Sequence, residues 1–193
     1  LLRGARTAAR LSGARAATVA DFLALADHNP SLARLDPAQL RDLAAHTLVA
    51  EAPAGCTVLR RGEKSDAGYF IISGRVVAGW DEEGGYRPLE TLNAGDFFGE
   101  IAALTGSPRT ANVVAEEPTV LLEVPAATLR TMTADPELNR IFMSRMTERM
   151  VRMNMVDLPR FQGMDQANLK DLRTPSPAVV EASVPPAPGA VSL

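Results

Sequence analysis

Cysteine is almost absent from this chain: its 193 residues hold only Cys56. One thiol cannot close an internal disulfide, so a reducing compartment suits the protein best. Histidine is nearly as scarce. His28 and His46 are too few for a metal centre of the cupin kind, which needs several histidine or carboxylate ligands, so no metal or other cofactor is expected. No uninterrupted apolar run approaches the roughly 18 residues that span a bilayer. The net charge of −3 supplies no global basic field to draw the chain onto nucleic acid or acidic lipid, so any anion site must be local. Nor is there a nucleophile beside a base, a metal-ligand spacing or a plausible pair of carboxylates, which argues against an enzyme.

What is present is the balance of a soluble globular protein, with 46% hydrophobic and 22% charged residues. The length suits one domain with extensions. The chain opens on Leu1 rather than methionine and reads as a piece of a longer protein. Residues 1–29 are expected to form a basic, helical linker: Arg3, Arg6, Arg10 and Arg15 precede the first acidic residue, Asp21, in an alanine-rich stretch. From Thr18 the apolar residues Val19, Phe22, Leu23 and Leu25 fall at helical spacing and stop before Pro30. A second helix begins at Asp36, an N-cap residue followed by Pro37, and buries Leu40 and Leu43.

From about Leu48 the rhythm changes to short apolar runs bounded by Gly, Pro and Asp, the pattern of many brief strands. About seven runs are legible: 48–52, 56–60, 69–72, 75–80, 86–92, 110–115 and 119–124. Between them lie Pro53-Ala54-Gly55, Arg61-Gly62-Glu63, Ser73-Gly74, Glu83-Gly84-Gly85 and Asn93-Ala94-Gly95-Asp96, which carry turn residues. Cys56 reads as a small buried hydrophobe on a strand. Phe97 to Leu104 lacks strand alternation and predicts a short helix inside the β segment.

Helices return at Pro125 and at Pro136, the second running to about Met155 with a stripe at Leu138, Phe142, Met146, Met150 and Met153. The last three methionines read as helix packing, with a lid over a ligand as the alternative. Residues 164–172 echo residues 35–43, either as the start of a second copy or as an unrelated amphipathic helix. Beyond Thr174 the Pro, Ala, Val and Ser composition predicts a disordered tail.

The chemistry concentrates between Phe98 and Ala111. A short helix starting at Gly99 presents unpaired backbone N–H groups to an anion, and Gly99 lets backbone approach it. Arg109 adds a charge-assisted contact to phosphate oxygens. Glu100 has the wrong sign for phosphate and suits a sugar hydroxyl, so the pair describes a ligand with sugar and phosphate together. The bland alternative is a surface ion pair between Arg109 and Glu100, which leaves the glycine and the helix unexplained.

Phe98 to Ala111, FGEIAALTGSPRTA, resembles the phosphate-binding cassette of the cyclic-nucleotide-binding domain family. Gly62, Glu63, Asp66, Tyr69, Ile71, Gly74 and Val76 resemble a further signature of that family, and the likeness extends from about Leu32 to Met153. It implies a mainly β domain over residues 30–156: an eight-stranded β-roll (jelly roll) with N-terminal helices, an internal cassette helix and C-terminal helices, then a short helix and tail over 157–193. It implies that Glu100 binds the ribose 2′-hydroxyl, that Gly99, Ile101 and Ala102 offer backbone N–H groups, and that Arg109 neutralises the cyclic phosphate. Thr110 suits the phosphate or a guanine amino group, which leans toward cGMP without excluding cAMP; Phe98 and Ala111 complete the ligand-binding set. Ala103 departs from the larger aliphatic common there.

The resemblance further implies a regulatory module whose ligand, cAMP or cGMP, moves the C-terminal helix and so signals to an attached effector such as a channel or transporter. It places the chain in the cytoplasm or at the cytoplasmic face of a membrane protein, and leaves room for a homo-oligomer. The alternatives are a fragment of a catabolite-activator-type transcription regulator and a structural roll without ligand. The first needs a helix-turn-helix after the long helix, and the few basic residues beyond Asp157 argue against it.

Overall fold

The structure is a computed structural model that describes residues 11–153, and its first strand lies where the linker helix was expected. Ser12–Ala16 forms β1, antiparallel to β2 (Leu48–Ala52) with Arg15 opposite Val49 and Ala16 opposite Leu48. The segment is too short to nucleate a stable helix, whereas the open edge of β2 offers ready backbone partners. All five β1 residues are exposed. The strand is therefore held by its backbone and by Arg15, whose guanidinium meets both carboxylate oxygens of Asp21 at 2.8 and 2.7 Å.

Helix α1 (Val19–Ala26) starts where Asp21 accepts from the Thr18 backbone N–H at 2.8 Å. It buries Phe22 and Leu25 but leaves Leu23, expected in the apolar stripe, half exposed. After a 3-10 turn (Pro30–Arg34), α2 (Pro37–Ala45) begins as expected. Asp36 accepts from the N–H groups of Ala38 and Gln39 at 2.8 Å, and the Gln39 side chain returns to the Asp36 N–H at 2.9 Å. Those two reciprocal bonds satisfy donors that a helix start leaves orphaned.

The strands β3 (Thr57–Leu59), β4 (Ala67–Ser73), β5 (Arg75–Glu82), β6 (Gly85–Asn93), β7 (Phe97–Phe98), β8 (Asn112–Ala115) and β9 (Thr119–Pro125) complete two antiparallel sheets. Their orders are β1-β2-β9-β4-β7 and β3-β8-β5-β6. Eight of the nine described strands are those of the expected roll, and β1 is an addition at one edge. Alternation along β4 and β9 divides the core in two. Tyr69, Ile71 and Leu121 point between the sheets, beside Cys56, while Phe70, Leu122 and Val124 point outward to the helices.

Phe97 and Phe98 belong to β7 rather than to the internal helix, because each must fill a different core. Phe97 packs against Phe142 at 4.5 Å between centroids, whereas Phe98 stacks on Tyr69 at 5.3 Å. Only extended backbone sends neighbouring side chains to opposite faces. The internal helix α3 is accordingly short, Glu100–Thr105.

Pro125 closes β9 and caps α4 (Ala126–Met132) instead of sitting inside it. The long helix α5 (Pro136–Arg152) starts at Asp135, which accepts from Glu137 and Leu138 N–H at 3.0 Å, and it buries Leu138, Phe142, Met146, Arg149 and Met150. No helix of the described residues is long and apolar enough to cross a membrane. The echo at 164–172 and the proline-rich tail lie outside the described residues.

Candidate functional site

The polypeptide turns sharply at Gly99. Its φ of +76° belongs to the left-handed region, and a Cβ there would stand 2.8 Å from Arg109 Nη1 and 3.2 Å from Leu59 Cδ1. Glycine is required on both counts. The turn reverses the chain from β7 into α3, so the first helical turn leaves the N–H groups of Glu100, Ile101 and Ala102 without intrahelical acceptors.

Arg109 reaches this turn from the segment before β8. That strand begins only at Asn112, so Arg109, Thr110 and Ala111 lie outside the ladder in which Thr110 was expected. The Arg109 side chain is 3% exposed. Nη1 donates to the Gly99 carbonyl and Nη2 to the Ala67 carbonyl, both at 2.7 Å, while the buried Nε–H has no acceptor among the described residues. Among the described residues no carboxylate stands within ion-pair distance of it, so the alternative reading, a surface pair with Glu100, is not what forms. Burial pulls the Arg109 pKa below the usual arginine value, partly offset by the fields of Tyr69 and Glu100. It remains a cation, held in low dielectric with no carboxylate at contact distance among the described residues.

Glu100, 2% exposed, is paired elsewhere. Its Oε1 accepts from Arg149 Nη1 on α5 at 2.5 Å, and Oε2 takes no hydrogen bond from the described residues. Arg149 also donates to Glu90 on β6 at 3.1 Å and to the Phe97 carbonyl at 2.6 Å, with its guanidinium 5.2 Å from the Phe97 ring centroid. Burial works against the charged form of Arg149, but Glu100 and Glu90 outweigh it and hold the pKa above the ordinary arginine range.

Phe98, Gly99, Glu100, Ile101, Ala102, Arg109, Thr110 and Ala111, the full set expected from the sequence, all line one pocket. Apolar walls come from Leu59, Ala78, Leu89, Leu92 and Val113, and α5 closes the mouth with Arg149, Arg152 and Met153. Of the methionine stripe, Met146 and Met150 are buried packing, while Met153 reaches the pocket.

Sequence reading missed Arg149 and Glu90. The signal for Arg149 was available: it stands seven residues after Phe142 and three after Met146, inside the buried stripe, where an unpaired arginine is not tolerated. Glu90, on an exposed-looking strand, carried no such signal.

Residues 49–135 match the family model described as cyclic nucleotide-binding domain. A cyclic nucleotide-gated potassium channel of Rhizobium etli is 38% identical over 87 residues, which cover 45% of this chain and 23% of the channel. A cAMP-dependent protein kinase regulatory subunit of Aspergillus fumigatus is 36% identical over 96 residues, covering 49% of this chain and 22% of the subunit. The matched stretch is thus under a quarter of either relative's length. The crystal structure of a cyclic nucleotide-binding domain from Methylobacillus flagellatus superposes with a TM-score of 0.60 at 21% identity, covering 77% of this chain and 90% of that one, which shows the fold.

Proposed function

We propose that this chain, whose residues 49–135 match the cyclic nucleotide-binding domain model, senses cAMP or cGMP at the pocket between Gly99 and Arg109 and passes the signal on through α5. The observation that carries the proposal is the buried Arg109 guanidinium, which lacks a carboxylate and keeps an unpaired Nε–H. A cyclic phosphate brings one negative charge and accepting oxygens to that cation and to the N–H groups of the first α3 turn. The ribose 2′-hydroxyl donates to Glu100 Oε2, the oxygen that Arg149 leaves unused. The purine lies against the apolar walls.

Glu100 then serves two donors, the ligand through one oxygen and α5 through the other. Ligand and helix hold the same carboxylate in place, so each favours the closed arrangement of the other. A ligand shifts such an equilibrium only by its differential affinity for the two states, and the shared carboxylate supplies the difference. The module acts by binding rather than catalysis, with an effector in a longer chain and a cytoplasmic setting. Thr110, whose hydroxyl has no protein partner among the described residues, tilts the pocket toward cGMP without excluding cAMP.

Isothermal titration of the chain with cAMP and cGMP tests this reading. Binding at or below the micromolar range, lost in Arg109→Ala, is the expected result. No heat from either nucleotide at high micromolar concentration, or undiminished binding by the variant, refutes it.

A further inference from the structure

The only tryptophan in the chain, Trp80, holds one of the pocket residues by its backbone. It stands on β5 two positions beyond Ala78, a pocket-lining residue, and strand alternation puts both side chains on one face. The last β5–β8 pair before the site is Gly79 with Asn112. Beyond it the chain leaves the ladder, and no strand N–H reaches the Thr110 carbonyl. The Trp80 indole takes that role, donating from Nε1 to the Thr110 oxygen at 3.1 Å.

The neighbouring residue is fixed from the opposite side. Gly62 N–H donates to the Arg109 carbonyl at 2.9 Å, and Arg109 N–H donates to the Glu63 carbonyl at 2.8 Å. The same loop clamps the indole: Arg61 lies over the Trp80 ring at 5.0 Å and its N–H donates to Asn112 Oδ1 at 2.7 Å. Arg109 and Thr110 therefore have no freedom to turn about their peptide so long as the indole bond stands. Without that bond, the Thr110 carbonyl has no hydrogen bond from the described residues, and its peptide is held only through the anchored neighbours Arg109 and Asn112.

We infer that Trp80 is a positioning residue whose indole N–H aims the Thr110 hydroxyl into the pocket and so sets the preference between guanine and adenine cyclic nucleotides. The inference rests on the cyclic-nucleotide reading above. Arg109 is anchored independently by Gly62, Glu63, Gly99 and Ala67, so phosphate binding common to both nucleotides survives loss of the indole, whereas a contact made by Thr110 does not.

The test is a double-mutant cycle in the full chain, with the parent, Trp80→Phe, Thr110→Ala and the double variant titrated calorimetrically with cGMP and cAMP. Trp80→Phe is expected to weaken cGMP about fivefold more than cAMP, the size of one lost hydrogen bond, and to have no further effect on that ratio once Thr110 is alanine. Equal weakening of both nucleotides, or additive effects of the two substitutions on the ratio, overturns the inference and leaves Trp80 a packing residue. Should Trp80→Phe fail to fold, the single indole N–H cross-peak of the 15N-labelled parent decides. It is expected to move on saturation and to settle at different positions for the two nucleotides; a peak that stays put while calorimetry shows binding overturns the inference. A parent that binds neither nucleotide removes the underlying reading, and this inference with it.

Discussion

Arg149 and Glu100, 49 residues apart, meet at 2.5 Å, and this pair joins the long C-terminal helix to a buried carboxylate that lines the pocket. Both side chains are nearly excluded from solvent, at 10% and 2% exposure. Ion pairs this buried add little net stability compared with an apolar replacement of both partners, but removing one partner strands the other charge.

Arg149→Met is accordingly expected to lower stability by about 3–5 kcal/mol, because Glu100 and Glu90 lose their shared cation together. Urea unfolding followed by circular dichroism measures the loss. In the parent, cyclic nucleotide is expected to slow amide exchange along α5; in the variant that protection disappears even at saturating ligand. An α5 equally protected in both proteins would show that the helix docks without the ion pair.

Gly99→Ala is expected to damage fold and site at once. The left-handed φ of +76° strains any L side chain, by about 1–3 kcal/mol. The added methyl group also stands 2.8 Å from Arg109 Nη1, and backbone holds it there, so the guanidinium must leave. Nucleotide affinity should fall at least about tenfold beyond what the lost stability explains, read by titration at a temperature where the variant is folded.

Arg109→Met separates binding from folding. The substitution removes a buried cation that makes no contact ion pair but orphans the carbonyls of Gly99 and Ala67. Desolvation relief and lost hydrogen bonds offset each other to within about 2 kcal/mol. Nucleotide binding, which needs the charge, should drop about a hundredfold or more. A large stability loss with intact binding would contradict the assignment.

At acid pH the Arg15–Asp21 pair predicts a small loss of stability. Hydrogen bonds from the Arg15 guanidinium hold the Asp21 carboxyl down at about 2, from an ordinary value near 3.8. A depressed acid stabilises the fold above its unfolded pKa, and that contribution fades as pH falls from about 4 through 2. Arg15 is about half exposed and screened by solvent, so the effect is at most about 1 kcal/mol. Thermal melts of parent and Asp21→Asn should differ at pH 5 and converge toward pH 2.

The local grammar of the chain was legible. Asp36 before Pro37 announced α2, since capping needs only residues within one turn. Glycine and proline breaks located seven strands, because alternation and turn conformation are settled by neighbours in sequence. The eight pocket residues read from the sequence lie between Phe98 and Ala111 for the same reason: a glycine turn, a helix start and a following arginine form a largely contiguous device.

Tertiary structure decided the rest. Ser12–Ala16 became a strand because β2 had an open edge, a fact about another part of the molecule. Phe97 and Phe98 left the expected helix to serve cores on opposite sides of one sheet. Whether Arg109 met Glu100 or stood unpaired, and whether Arg149 reached Glu100 at all, depended on how α5 lies across β6 and β7. Backbone preferences act over a few residues, whereas charges and apolar surfaces find partners only once the elements have packed; the sequence by itself determined the contiguous segment from Phe98 to Ala111, and the packed chain alone determined the walls around it and which charge each residue would face.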